Sequence, residues 1–288
     1  MEIGNKQLKP KLLISFIIFL IVVLGLTFYF YQHVNGQGNK ESNLKYGSNR
    51  KQTLDLFTPK VQNGEKLPVI IYAHGGGWSG GDKSNVSAKP DFFAEKGYAF
   101  ISINYRLSPK ATYEEMANDV TNAIKWVYDN ADNYQFDRSK INLMGHSAGG
   151  HLIMLVASNP NYLNNVGLSP KVINSVVNIE GPLDLTDFIS RIGSYKKVFG
   201  KDQKVWEEAS PITYAASKNL PPMFLIDHGS NSIKKFMDTT KLAGNTVGYF
   251  QARTLSHSEL TELLGTFKTE EATIMTNAVF KFLSNLNK

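Results

Sequence analysis

Gly145-His146-Ser147-Ala148-Gly149 has the pattern G-x-S-x-G. The pattern carries chemistry where a strand turns sharply into a helix, because small flanking residues permit the strained turn that exposes a serine hydroxyl. Residues 141–144 read as a strand entering the turn, and an apolar stretch from about Gly149 reads as the helix leaving it. Ser147 is therefore the candidate nucleophile. A second cluster, His74-Gly75-Gly76-Gly77-Trp78, lies about 70 residues earlier, directly after the buried-strand pattern LPVIIYA. Consecutive glycines let backbone N–H groups approach a developing oxyanion, as acyl transfer requires. Gly76 and Gly77 are the candidate donors, joined by the N–H of Ala148. A flexible surface turn would account for the glycines, but not for their place after a buried strand and ahead of a serine turn.

A nucleophile turn of this kind is followed along the chain by an acid and then a histidine. His257, in TLSHSEL, lies after the last strand pattern and before the final helical stretch, so it is the candidate base. His74 and His146 belong to the two motif frames and His151 opens the helix after the serine; all three read as structural. No pair of histidines has metal-ligand spacing beside a carboxylate, and the chain has no cysteine, so no metal site is expected.

These residues need a scaffold that presents them together. Short apolar runs at residues 67–73, 98–104, 141–144, 172–179, 223–226 and 247–255 alternate with amphipathic stretches, of which 112–130 carries Met116, Val120, Ile124 and Val127 at helical spacing. Residues 258–286 read as largely helical. That alternation predicts an α/β architecture: a mostly parallel central sheet with helices on both faces. Residues 54–57 and the segment before them are candidates for an antiparallel edge. Residues 183–214 break the rhythm with many polar residues and read as a cap inserted over the sheet. Trp78 and Trp206 are candidates to line a pocket, although tryptophan is more often simply packed.

The 288 residues carry a formal charge of +6, but its distribution removes most of its meaning. Residues 1–51 hold seven Lys/Arg against Glu2 and Glu41, leaving 24 basic and 23 acidic residues over the rest. A nucleic-acid-binding face would need the excess on the folded part, so no such partner is expected. Residues 12–31, LLISFIIFLIVVLGLTFYFY, contain no charge. As a helix they would extend about 30 Å, the thickness of a bilayer's hydrocarbon layer. Lys6, Lys9 and Lys11 precede them, which favours a cytoplasmic amino terminus. A cleaved signal peptide would be shorter and end in small residues, whereas this segment ends in Phe28-Tyr29-Phe30-Tyr31. The expected organisation is a basic cytoplasmic segment (1–11), one transmembrane signal anchor (12–31), a flexible linker (32–45) and an extracytoplasmic α/β domain (46–288).

The run HGGGWSGGDKSN, then SINYRLSP, INLMGHSAGGHL, EGPLDL and PPMFLIDHGS, resembles the esterase/lipase branch of the alpha/beta hydrolases. The resemblance extends from about Tyr46 to the carboxyl terminus. It is strongest to the bacterial group related to hormone-sensitive lipase and kynurenine formamidase, often labelled BD-FAE. It implies an alpha/beta-hydrolase fold and cofactor-free hydrolysis of small, short-chain carboxylic esters or related amides. That group usually carries its acid after the seventh strand as H-G-x-x-D, where this chain has His228-Gly229-Ser230-Asn231-Ser232. Serine cannot supply the charge that stabilises an imidazolium. Glu180, at the end of the sixth strand pattern, is the first candidate for a relocated acid, because other branches of this fold place it there; Asp227 and Asp238 flank the vacant position. Asp184 reads as a turn or cap. A Ser–His pair without an acid, or a retired hydrolase acting as a surface binding protein, are the other readings of Ser232.

Overall fold

A computed structural model of the chain describes residues 38–60 and 64–287. Its strands are β1 (Asn39–Lys45), β2 (Thr53–Thr58), β3 (Leu67–Ala73), β4 (Ala99–Ile103), β5 (Phe136–His146), β6 (Ile173–Ile179), β7 (Met223–Asp227) and β8 (Val247–Gln251). They form one sheet in the order β1-β2-β4-β3-β5-β6-β7-β8. The β1–β2 and β2–β4 pairs are antiparallel, and every pair from β4–β3 to β7–β8 is parallel.

The central strands are apolar along their whole length because both faces of the sheet are covered. In β3, Val69, Ile71 and Ala73 point to one face and Ile70 and Tyr72 to the other, the period of two that a pleated strand imposes. The first face packs on α2 (Tyr113–Asp129) through Met116, Val120, Ile124 and Val127, and on α4 (Ala148–Ser158) through Leu152, Ile153 and Val156. The second packs on α1 (Lys89–Glu95) through Phe92 and Phe93, and on α11 (Glu270–Leu286) through Met275, Val279 and Leu283. Helix α2 begins where Thr112 Oγ1 accepts from Glu115 N–H and Glu115 Oε2 accepts from Thr112 N–H, a reciprocal cap that satisfies two otherwise unpaired donors.

Single-turn helices α3 (Ala131–Tyr134) and α5 (Asn161–Asn164) sit in connections. Between β6 and β7, residues 183–214 fold as α6 (Leu185–Arg191), α7 (Lys196–Phe199) and α8 (Gln203–Glu208) with short 3-10 turns. Helix α9 (Asn231–Leu242) follows β7, and α10 (His257–Glu262) follows β8.

One expectation needs correction. Of the linker placed at 32–45, residues 32–37 lie outside the described residues, and Asn39–Lys45 is a strand paired with β2 from Asn39↔Thr58 to Lys45↔Thr53. Its composition, NKESNLK, hides it: the strand lies at the sheet edge with mostly exposed side chains, and charged residues at an edge discourage pairing with other chains. The folded unit accordingly starts at Asn39 rather than Tyr46. The tail is largely helical, as expected, and is divided into two helices. Ser256 and Glu259 form a capping box that starts α10 at His257, and the chain breaks around Gly265 (φ +89°) before α11. The segments read as cytoplasmic and as a signal anchor, 1–11 and 12–31, lie outside the described residues. Among the described residues no helix is long and apolar enough to cross a membrane.

Candidate active site

Ser147 sits between β5 and α4 with φ +52° and ψ −120°, a conformation that is strained for any residue but glycine. Close packing holds it there. A Cβ on Gly145 would lie 2.6 Å from the carbonyl oxygen of Gly149, and one on Gly149 would lie 2.2 Å from that of Ala73. The two glycines of the motif are thus required by backbone-to-backbone contact. The turn is tied to the neighbouring strand by Ser147 N–H, which donates to Ile179 O at 2.9 Å.

The glycine cluster after β3 lies against this turn: a Cβ on Gly75 would approach His146 Nδ1 to 2.6 Å and Ser147 Cβ to 3.1 Å. Gly76 (φ +128°) and Gly77 (φ +58°) turn the chain away, and Gly76 O accepts from Ser79 and Gly80 N–H. Ala148 opens α4, so its N–H belongs to the first helical turn, where no intrahelical acceptor exists. Trp78 packs among Phe188, Tyr195 and Phe199, and Trp206 is buried with Nε1–H donating to Gly200 O at 3.2 Å. Both tryptophans are packing elements; the apolar wall facing Ser147 comes from the cap instead.

Glu180 follows the last residue of β6. Its φ is +51°, and its N–H donates to Ile226 O at 2.8 Å, which fixes it against the end of β7. Its carboxylate receives two imidazoles. His257 Nδ1–H donates to Oε2 at 2.6 Å, and His228 Nδ1–H donates to Oε1. Burial pushes the Glu180 carboxyl up, but the hydrogen bonds and charges of His257 and His228 together hold it below the usual value. The same hydrogen bond to Glu180 raises His228.

The structure therefore brings together Glu180 and His257, and places the other acid candidates elsewhere. Asp227 accepts from Gly229 N–H, from Ser230 N–H at 2.8 Å and from Ser230 Oγ at 2.9 Å, closing the turn after β7. Asp238 lies on the exposed side of α9. Asp184 caps α6 by accepting from Asp187 N–H at 3.1 Å. Ser232 Oγ lies 3.3 Å from Ser230 Oγ and does not contact His257. The sequence reading passed over His228, although HGS directly after a buried strand was the available signal.

Among the described residues, the three remaining histidines are pushed toward the neutral form by their surroundings. Trp78 Nε1–H donates to His151 Nδ1 at 3.1 Å, so His151 carries its proton on Nε2 and gives it to Ala209 O at 2.8 Å. Burial pushes His151 down to about 4. His146 is pushed down to about 4 by burial and then by the neighbouring His257, whose carbonyl accepts from His146 Nε2–H at 3.0 Å. His74, whose Nδ1–H donates to Gly75 O at 2.7 Å, is lowered chiefly by burial.

Ser147, Glu180 and His257 open into one cavity of about 350 Å³, whose apolar wall is Leu183, Phe188, Ile192 and Tyr195 from the cap segment. A wider cleft of about 950 Å³ lies beyond the Gly75–Gly76 turn, lined by His146, Ser258 and Thr261, and does not include the serine. The smaller cavity, not the wider cleft, is the one that reaches Ser147. Among the described residues no group of His, Asp and Glu is arranged to hold a metal ion.

An eight-stranded sheet in this order, with a serine at a strained turn after a central strand and a histidine after the last strand, defines an alpha/beta-hydrolase fold. Residues 54–243 match the BD-FAE family, and the chain belongs to it. It is 32% identical over 201 residues to esterase LipC of Mycobacterium tuberculosis, covering 64% of this chain and 49% of LipC. It is 26% identical over 180 residues to kynurenine formamidase of Drosophila melanogaster, covering 62% and 58% of the two chains. The chain thus spans about half the length of the relatives it matches. Among solved structures, esterase B of Lactobacillus rhamnosis superposes with a TM-score of 0.72 at 19% identity, covering 95% of this chain and 97% of that one. A truncated carbohydrate esterase from gut microbiota superposes with a TM-score of 0.71 at 22% identity, covering 87% and 98%. At these identities the superpositions speak for the fold.

Proposed function

We propose that this protein is a serine hydrolase of short-chain carboxylic esters, working through an acyl-enzyme on Ser147. The observation that carries the reading is the 2.6 Å bond from His257 Nδ1–H to Glu180, in the cavity that also exposes Ser147. That bond puts the proton of the neutral ring on Nδ1 and leaves Nε2 as a base. His257 Nε2 takes the proton of Ser147 Oγ as the oxygen attacks the ester carbonyl. The N–H groups of Gly76, Gly77 and Ala148 receive the oxyanion. His257 then returns its proton to the departing alcohol oxygen, and a water deprotonated by the same nitrogen releases the carboxylic acid. Glu180 stays ionised and stabilises the imidazolium formed in each half-reaction.

The named relatives support the reaction class, since they include esterases. The small cavity and its cap-derived apolar wall support a short acyl group. Glu180 beside His257 removes the motive for the binding-protein reading, which rested on Ser232. The uncharged residues 12–31 and the lysines before them support a single-pass anchor in the cell membrane, with the catalytic unit outside the cytoplasm. Digestion of intact cells with an added protease checks that placement: a catalytic unit that resists until the cells are lysed refutes it. For the chemistry, the full-length protein is labelled with a fluorophosphonate and assayed on p-nitrophenyl acetate, butyrate and octanoate. Labelling at Ser147, with turnover falling from acetate or butyrate to octanoate, is the expected result. Undiminished hydrolysis by Ser147→Ala would overturn the reading.

A further inference from the structure

Glu180 serves two histidines, and the reaction proposed above uses one of them. The second, His228, is bound at both ring nitrogens. Nδ1 faces Glu180 Oε1, and Nε2 lies 2.8 Å from the carbonyl oxygen of Leu255. A carbonyl oxygen only accepts, and so does an ionised carboxylate. A neutral imidazole has one N–H and one bare nitrogen, so it cannot satisfy two such partners. The protonated ring can.

A proton on Glu180 Oε1 would reverse one of these bonds. The other carboxylate oxygen, however, accepts from His257 at 2.6 Å, and the two rings together hold the carboxyl below its ordinary range. The turn carrying His228 is itself pinned, because the preceding Asp227 receives three donors from Gly229 and Ser230. The ring is thereby held between the ends of β6 and β8.

We infer that His228 is a positioning residue, an imidazolium that clamps Glu180 Oε1 and leaves Oε2 alone for His257. The inference deepens the hydrolase reading and rests on His257 being its base. It has two consequences. The strained backbone at Glu180 would otherwise leave the carboxylate free to rotate away from His257; the clamp fixes its plane. The negative charge is also divided between two rings, so the proton taken up by His257 is stabilised less than an undivided carboxylate would stabilise it. The other ionisable groups around this pair are Asp227, next to His228, His146, whose ring centre lies 4.6 Å from that of His257, and Asp184 and Arg191 on the wall of the same cavity. Asp227 favours the charged form of His228. His146, lowered by burial, stays neutral through the working range and does not mimic the effect.

Two measurements test the clamp. Long-range ¹H–¹⁵N spectra of the ¹⁵N-histidine-labelled, full-length protein at pH 7 are expected to show both ring nitrogens of His228 protonated and those of His257 as one protonated and one bare. A bare nitrogen on His228 overturns the inference. This reading needs neither a variant nor turnover, so it stands or fails separately from the Ser147→Ala assay. The second is the pH dependence of kcat/KM on p-nitrophenyl butyrate. His228→Gln keeps a donor for Glu180 but removes the charge, and should move the acid limb upward by about one pH unit, a typical effect of a nearby opposing charge. His228→Ala removes both and should lower kcat across the whole profile. Superimposable acid limbs in wild type and His228→Gln also overturn the inference; a purely structural role would scale activity without moving the limb.

Discussion

Among the described residues there are two kinds of histidine site, and they differ in burial and in whether the ring hydrogen-bonds a carboxylate. His74, His146 and His151 are buried, bond to backbone carbonyls or to an indole, and are pushed toward the neutral form. His228 and His257 share Glu180 and remain partly exposed, with side chains 40% and 51% accessible. Burial without charge makes a histidine a rigid hydrogen-bonding spacer, whereas a partly solvated carboxylate makes it a proton carrier.

The sharpest way to break that contrast is Glu180→Gln. The amide keeps the volume but can donate to His257 Nδ1, which favours the wrong tautomer and removes the charge that stabilises imidazolium. A fall in kcat of roughly 10³–10⁴-fold is expected, on the scale of losing a triad acid. Retention of most of the activity would mean that the charge comes from elsewhere. His151→Ala tests the other side. It leaves Trp78 Nε1–H and the Ala209 carbonyl without their partner and opens a cavity at a fully buried position. Unfolding in urea should reveal a loss of about 2–4 kcal/mol, typical of such deletions, with far less effect on turnover per folded molecule than Glu180→Gln. An unchanged midpoint would contradict the structural role.

The smallest effect sharpens the comparison through pH. Glu180, lowered on folding from an ordinary value of 4.5, contributes stability that is present above that value and lost as pH falls through its folded value. His228, raised from 6.5, contributes stability that is present below that value and lost as pH rises through its folded value. Their combined stabilisation is therefore fully present between about pH 4.5 and 6.5, while the bond itself outlasts that window on both sides. The Tm difference between wild type and His228→Gln should be greatest in that window and shrink on either side. A difference that is flat with pH would assign the bond to neutral partners.

Much of this site was legible in the sequence because close backbone packing leaves a compositional mark. Gly145 and Gly149 admit no Cβ, and Gly75 sits against Ser147, so the glycines report the turn they enable. Buried parallel strands are equally readable, since both faces require apolar residues. The polar edge strand β1 was not, because its fold is decided by backbone bonds to β2 while its side chains remain in water. Glu180 was the first candidate for the acid serving His257, but its second partner, His228, was hidden. A carboxylate after a strand has no sequence mark that says which imidazoles it meets, and the absence of an acid at Ser232 drew attention away from His228 four residues earlier. The start of α10 at His257 depended on a short capping box between Ser256 and Glu259, whose S-x-x-E pattern was visible but competed with the longer helical tail.

The parallel pairing of β6 with β7 sets Ile179 beside Ile226, so the residues that follow these strands emerge at the same level, one strand spacing or about 4.8 Å apart. Ser232 lines the same cavity as His257 even though the carboxylate now comes from Glu180. The scaffold thus offers two seats for one acid, reached from neighbouring loops. A carboxylate at either position would open into the cavity that His257 lines.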